Sequence, residues 1–368
     1  MLKLERVPVG GADAGIEAAR TGNVFCTPEW LDYVARTQEA EPVVAQVERD
    51  GVPVGAFTGL IVRRMGVRIL GSPFQGWMTG PMGFSLAPEI SHGEAMRALA
   101  PFAFRELGCL HVEVTDRGSS FDEVESVRGR VDRFNTFELD LRRDEDALLA
   151  GMTSGCRRAL RKGEREGISV EQASGVEFAD EYYDQLREVF DRQELAPPYP
   201  RERVRELIRR VEPSGRLLLL RAVGPDGDRI ASAIFPYGPE FAYFWGGASW
   251  EEQRILRPNE LIFWHAIRHF RERGVAMLDF GGGGGQFKSK FGGPPRAIPV
   301  LRRSRVPGML ALRDVAARVY KRRAMRAPRA PEPFPRATAR GLRPRTSEPD
   351  ATARSDRRTR PPAPRTPR

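Results

Sequence analysis

The sequence predicts an α+β protein, with helices packed on mostly antiparallel sheet. Three patterns carry that prediction. Two alternating segments, "PVVAQVE" and "VPVGAFTGLIV", flank Asp50-Gly51, a pair suited to a tight hairpin turn. Three apolar runs, "RLLLLRAV", "RIASAIFPYG" and "EFAYFWGGAS", follow one another through "GPDGD" and "GPE", turn chemistry that makes neighbouring strands antiparallel. Between the hairpin and this meander lie charged stretches of helical character.

Along the chain, "CTPEWLDYVART" opens a helix with Thr27 as N-cap and Pro28 at its first position. A strand "VRILGSP" follows, then an apolar helix from about Glu94 to Leu107 and strands "LHVEVTD" and "FNTFELDL". The next predicted element is one long charged helix from Glu145 to about Glu166, succeeded by helices "FADEYYDQLREVFDRQ" and "RERVRELIRRV". After the meander, "PNELIFWHAIRHFRERG" reads as a helix returning the chain to a last strand, "VAMLDF", which runs directly into five glycines. No repeat is visible letter by letter, although the two halves order their elements similarly.

A chain of 368 residues is long enough for two domains. Its net charge of +10 sits in the tail: Lys321 to Arg368 holds 15 Lys/Arg against 4 Asp/Glu, leaving the body near neutrality, so charge does not identify the body's partner. With 10 prolines in 48 residues, the tail buries too little apolar surface to offset its ordering entropy and reads as disordered. It is either a plain solvated extension or a weak contact for anionic membrane or RNA. Cys26, Cys109 and Cys156 form no pair or metal spacing and read as small buried hydrophobes. With no signal-peptide core and no bilayer-length apolar stretch, the sequence predicts a cytoplasmic protein, peripheral at most to the inner face of the membrane.

The chemistry is expected at "DFGGGGGQFKSKFGG", Asp279 to Gly293. A P-loop needs Gly-Lys-Ser/Thr opening a helix, and a dinucleotide fingerprint needs spaced glycines between strand and helix. Here a second glycine pair and two prolines exclude a long helix. What remains is a strand end at which bare backbone admits another chain or a ligand. Lysine usage sharpens this. The chain has five lysines against 54 arginines, and Lys288 and Lys290 stand one residue apart. A lysine is a compact, titratable point charge suited to phosphate or a developing oxyanion, although two solvated loop charges would look the same. Asp279 either holds an acceptor ammonium or caps the glycine turn. Alternation along "AYFWG" sends at least one of Tyr243, Phe244 and Trp245 to the opposite face from the others.

Other patterns carry less. His265 and His269 are four apart on a helix but lack a third ligand, so they read as solvated side chains and no metal site is expected. Ser154 and Cys156 have no nucleophile partner in sight. The comb Arg157, Arg158, Arg161 and Arg165 is either an anion site or a solvated face paired with Glu164 and Glu166.

The segment "RPNELIFWHAIRHFRERGVAMLDFGGGGGQFKSKFGG" resembles the signature of the Fem-type transferases, a branch of the GNAT superfamily, and of the related acetyltransferase-like domain of CelD-type cellulose-biosynthesis proteins. "MTSGCRRALRKGEREGISV" is similar to that family's arginine-rich helix. The resemblance covers about residues 145–300 well and 20–140 more loosely. It implies two tandem GNAT-like domains: residues 1–140, completed by 296–306, and a catalytic 141–295, followed by a helical extension (307–320) and the tail (321–368). It implies transfer of an acyl or aminoacyl group onto an amine, as Fem-type enzymes do on peptidoglycan precursors. By matching motif positions, it places Arg157 on precursor phosphates, Lys288 or Lys290 at the transferred group, and Asn259, Gly281, Gly282 and Phe287, with Arg161, at the substrate. The donor is aminoacyl-tRNA or acyl-CoA. "WEEQRILRPNE" has no glycine where a GNAT pyrophosphate loop belongs, which favours the former, unless Arg254 and Arg257 replace that loop. Two rivals remain: an acetyl-CoA-dependent N-acetyltransferase on a small amine or sugar, and a non-catalytic anion-binding scaffold using the basic tail. Oligomeric state is not specified.

Overall fold

The computed structural model describes residues 1–306 and 308, apart from 65, 283 and 284. The expected extension over 307–320, bar residue 308, and the tail over 321–368 lie outside the described residues.

The first half contains β1 (Leu2–Val7), α1 (Ala14–Thr21), α2 (Pro28–Gln38), β2 (Glu41–Arg49), β3 (Val52–Arg64), β4 (Val67–Ser72), β5 (Phe84–Leu86), α3 (His92–Pro101), β6 (His111–Thr115), α4 (Phe121–Glu125) and β7 (Arg130–Asp140). Thr27 caps α2 by accepting from Trp30 N–H, with Pro28 at the helix start, as predicted. Asp50 and Gly51 both adopt positive φ, 53° and 83°, and close the β2–β3 hairpin as expected of a primed turn. The helix predicted to reach Leu107 is regular only to Pro101. Proline has no N–H to donate and crowds the preceding turn, and beyond it the chain widens into a π-type turn, Phe102–Glu106.

The second half contains α5 (Glu145–Gly151), α6 (Ser154–Arg165), β8 (Ser169–Ala173), α7 (Phe178–Asp191), α8 (Arg201–Val211), β9 (Leu217–Val223), β10 (Arg229–Pro236), β11 (Phe241–Tyr243), β12 (Gly246–Ser249), α9 (Pro258–Glu272), β13 (Met277–Asp279), α10 (Gly285–Ser289) and β14 (Pro295–Ser304). Two expectations are corrected. The single helix expected over 145–166 is two, because Met152 is extended and Thr153 N-caps α6 through Cys156 N–H. "EFAYFWGGAS" is not one strand but two, β11 and β12, in different sheets.

One sheet of ten strands runs β1-β2-β3-β4-β6-β14-β7-β13-β11, with β5 added on β3; a second runs β12-β10-β9-β8. Pairing is antiparallel except for β4–β6 and β11–β13, and helices flank the sheets, so the α+β prediction holds. The late strand β14 lies between β6 and β7, with Val300 opposite both Thr115 and Asp132. It thereby places the end of β13 in the same sheet as the first half. One apolar core joins Phe25, Trp30 and Tyr33 to Tyr182, Tyr199 and Trp245, and two others fill the separate halves. Cys26, Cys109 and Cys156 are free and buried, as expected.

After α10 the chain turns through Gly292, at φ +89°, against the end of α5. A Cβ there would stand 2.7 Å from the Gly151 carbonyl oxygen. Gly292→Ala is therefore expected to destabilise the protein by roughly 2–4 kcal/mol, left-handed strain accounting for about 1–2 of it. Chemical denaturation midpoints of the two proteins check this.

Candidate active site

The site begins where the chain changes sheets. Phe244 N–H donates to Asp279 O at 2.9 Å, in the large sheet, whereas Trp245 N–H donates to Ile234 O at 3.0 Å, in the small one. Two consecutive amides thus serve two sheets, and the chain passes from one sheet to the other between them. Tyr243 and Trp245 join the core between the halves, while Phe244 packs with Phe235 and Phe263 on the other side, the alternation expected from sequence.

Beside this split lies a cavity of about 420 Å³. Its walls come from Tyr243–Trp245, from the end of β13 with Gly281, Gly282 and Lys288, and from the first half: Phe25, Thr115, Phe134 and much of the loop after β4 (73–81). The glycines act as expected of bare backbone at a strand end. Gly281 takes φ +72°, which a side chain would strain, and both glycines form cavity wall. Residues 283 and 284 of the run lie outside the described residues.

Lys288 is buried on α10, and its Nζ donates to Gly281 O and Gly282 O, both at 2.8 Å. Burial lowers its pKa to about 8, opposed by the Asp279 carboxylate. Asp279 is 1% exposed and fully engaged. Oδ1 accepts from Gly281 N–H at 2.7 Å and from the Thr136 hydroxyl; Oδ2 accepts from Arg117. It therefore caps the glycine turn, one of the two roles considered for it. Arg117 also donates to Glu138 and lies over the Phe241 ring, 4.4 Å from its centroid. Arg296 completes the network, donating to Glu138 Oε2 at 3.1 Å.

The remaining sequence candidates lie away from the cavity wall. Lys290 Nζ pairs with Glu260 Oε1 at 2.8 Å and sits over the Phe287 ring at 3.7 Å. Phe287 packs against Phe263 and Phe291. Arg157 donates to the carbonyls of Leu149, Ala150 and Met152, closing the C-terminal end of α5. Arg161 is exposed on α6. Asn259 Nδ2 donates to Ser249 Oγ at 3.1 Å, tying the start of α9 to β12. His269, expected to be solvated, is buried against Tyr237 and Phe270, and burial pushes its pKa down to about 4. His265, one turn earlier on α9, is only partly buried. Among the described residues, no group of three or more His, Cys, Asp or Glu is placed to hold a metal ion, and no helix is long and apolar enough to cross a membrane.

Sequence reasoning did not find Arg117, Thr136, Glu138 or the 73–81 wall. Arg117 is one arginine among 54, and its partners are 21 and 162 residues away. No local signal marks it.

A model of the acetyltransferase (GNAT) domain matches residues 151–289. Among solved structures, the crystal structure of FemX superposes with a TM-score of 0.65 at 13% identity, covering 80% of this chain and 96% of that one. A conserved protein of unknown function from Bacteroides thetaiotaomicron superposes with a TM-score of 0.53 at 10% identity, covering 82% and 99%. No curated protein matches the sequence. Residues 151–289 therefore match a GNAT acetyltransferase domain, and the chain as a whole has a Fem-type, GNAT acetyltransferase-like fold.

Proposed function

We propose that this Fem-like GNAT protein transfers an acyl or aminoacyl group onto an amine in the cavity between its two halves, the acceptor being the amine of a cell-envelope precursor. The observation that carries the reading is Lys288: a buried ammonium held by two glycine carbonyls on the wall of the cavity. Attack of a neutral amine on the ester or thioester carbonyl forms the C–N bond and develops negative charge on the carbonyl oxygen, which a donor already in place stabilises without reorganisation. Collapse breaks the C–O or C–S bond, and the proton lost by the amine passes through solvent to the departing tRNA hydroxyl or CoA thiol. Two of the three ammonium N–H groups go to Gly281 and Gly282, which fix the head of the side chain. The third meets the oxyanion. Asp279 serves by holding the loop that holds Lys288, since its own oxygens are occupied. Arg157, Arg161, Asn259, Phe287 and Lys290 act in this scheme as supports of α5, α6, α9 and α10, and the halves divide near residue 140.

The start of α9 supports an aminoacyl donor over CoA. Arg257 precedes the helix in a left-handed conformation without a side-chain cap, Pro258 has no N–H to offer, and Arg254 is paired with Glu251 at 2.8 Å. A pyrophosphate would find little there. The test is direct: purified protein is given aminoacyl-tRNA or acetyl-CoA with an amine acceptor, and N-acylated product is sought by mass spectrometry. Product from aminoacyl-tRNA is expected. Product from acetyl-CoA alone would replace the donor assignment, and none from either donor would remove the transferase reading.

A pH prediction follows from Lys288. The cation fraction falls as pH rises through about 8, so kcat/KM is expected to have a descending limb near pH 8. Lys288→Arg, which stays charged, loses that limb. The same depression affects stability in the opposite sense. Between about 8 and the ordinary 10.5 the unfolded chain binds more protons here than the folded one, so this group's contribution to stability rises over that window.

A further inference from the structure

We propose that the cavity receives a large apolar acyl chain, so that the transferred group is a medium-length hydrocarbon or aromatic acyl or aminoacyl group and not acetyl or a polar aminoacyl group. The inference rests on the transferase reading and names the substrate class of the same site.

The walls are chemically divided. Phe25, Phe74, Met78, Phe134, Phe244 and Trp245 supply apolar surface from both halves, whereas the charged side chains in the wall are Lys288 and Asp279 alone. Asp279 already accepts from Gly281 N–H, Thr136 and Arg117. A polar group at the far end of the ligand, away from Lys288 and the reacting carbonyl, therefore finds no free carboxylate, and burying it without a partner is unfavourable. A ligand with one polar end at Lys288 and an apolar body against the aromatic rings matches this division.

Volume sets the size. A dry cavity of roughly 150 Å³ holds the six carbons of benzene. On that scale 420 Å³ has room for about sixteen non-hydrogen atoms. After the two atoms of the reacting carbonyl and the five non-hydrogen atoms of a glycinamide-sized acceptor end, that leaves about nine, room for an acyl chain of about eight carbons or a phenyl-bearing group. Acetyl would leave the aromatic walls uncovered.

The prediction is a chain-length dependence of binding. Carrier-free product analogues, N-acyl glycinamides with acetyl, butyryl, hexanoyl and octanoyl chains, are titrated calorimetrically into the full-length protein. Affinity is expected to rise about fourfold per added methylene up to about eight carbons, the equivalent of about 0.8 kcal/mol each. N-(6-aminohexanoyl)glycinamide, which ends in an ammonium, is expected to bind no better than the acetyl compound. Met78→Trp and Phe74→Trp, each checked for folding by circular dichroism, fill the cavity and are expected to flatten the series. A flat series in the unmodified protein, or equal binding of the aminohexanoyl compound and the hexanoyl compound, overturns the proposal. The two readings fail separately. Transfer that proceeds equally well from acetyl and octanoyl donors keeps the transferase and removes the apolar pocket. Length-dependent binding with no transfer from any donor keeps the pocket and removes the transferase.

Discussion

Lys288→Met is expected to lower kcat/KM for transfer by about 10²–10³-fold while leaving the protein folded, because removing one preorganised oxyanion donor typically has that effect. Methionine is close in length and apolar, so it replaces a side chain whose charge is held in a desolvated position. What it loses for stability are hydrogen bonds to Gly281 and Gly282, whose carbonyls face a cavity rather than sealed core. A cost of about 1–2 kcal/mol is expected. Lys290→Met provides the contrast. Its partner Glu260 is buried, and leaving that carboxylate alone is expected to cost roughly 3–5 kcal/mol. Transfer per folded molecule should be retained. Steady-state kinetics and denaturation on both variants separate the roles: a Lys288→Met enzyme of full activity would remove the lysine from the mechanism, and a Lys290→Met enzyme that is stable but inactive would exchange the two assignments.

Arg117→Met is expected to be among the most destabilising single changes in the chain. The guanidinium reaches from the segment after β6 to Glu138 on β7 and Asp279 on β13, two carboxylates with side chains 4% and 2% exposed. Removing it leaves Asp279 without its directly hydrogen-bonded cation and Glu138 with Arg296 alone. Breaking a buried charge pair from one side costs about 3–5 kcal/mol. The functional consequence goes further than stability. With Arg117 gone, the carboxylate that fixes Gly281 N–H is held from outside the turn by Thr136 alone, and the carbonyls that hold Lys288 belong to the same turn. Arg117 is thus a positioning residue. At a temperature where the variant is folded, kcat is expected to fall more than KM rises, and Lys288 should titrate away from about 8. Unchanged stability would show that Arg117 is not a structural tie between the halves.

The local vocabulary of the fold is legible in the sequence because it is written in short-range chemistry. Thr27-Pro28 starts a helix, Asp50-Gly51 closes a hairpin, and alternation at Tyr243–Trp245 sends Phe244 away from its neighbours. The structure departs from the local pattern where a distant contact decides the local conformation. The break at Met152–Thr153 is closed by Arg157 from below and by Lys290 O, which accepts from Thr153 N–H at 2.9 Å. The division of "EFAYFWGGAS" depends on which sheet each amide meets, Asp279 O for Phe244 and Ile234 O for Trp245. In the arginine comb, the leading member Arg157 donates to carbonyls at the end of α5, contacts that no local pattern announces.

The amino-acid sequence alone determined that a strand ends in bare backbone with two of the chain's five lysines beside it. Glycine's missing side chain and the near-absence of lysine elsewhere are properties of composition and order, which need no partner to be read. Tertiary structure decided which lysine faces the cavity, what anchors Asp279, and what the walls are made of. Those outcomes depend on β14 inserting between β6 and β7, and on Arg117 crossing to a carboxylate 162 residues away. Burial and pairing at such distances arise only when the whole chain is folded, since no local pattern encodes which remote surface will exclude water from a given charge.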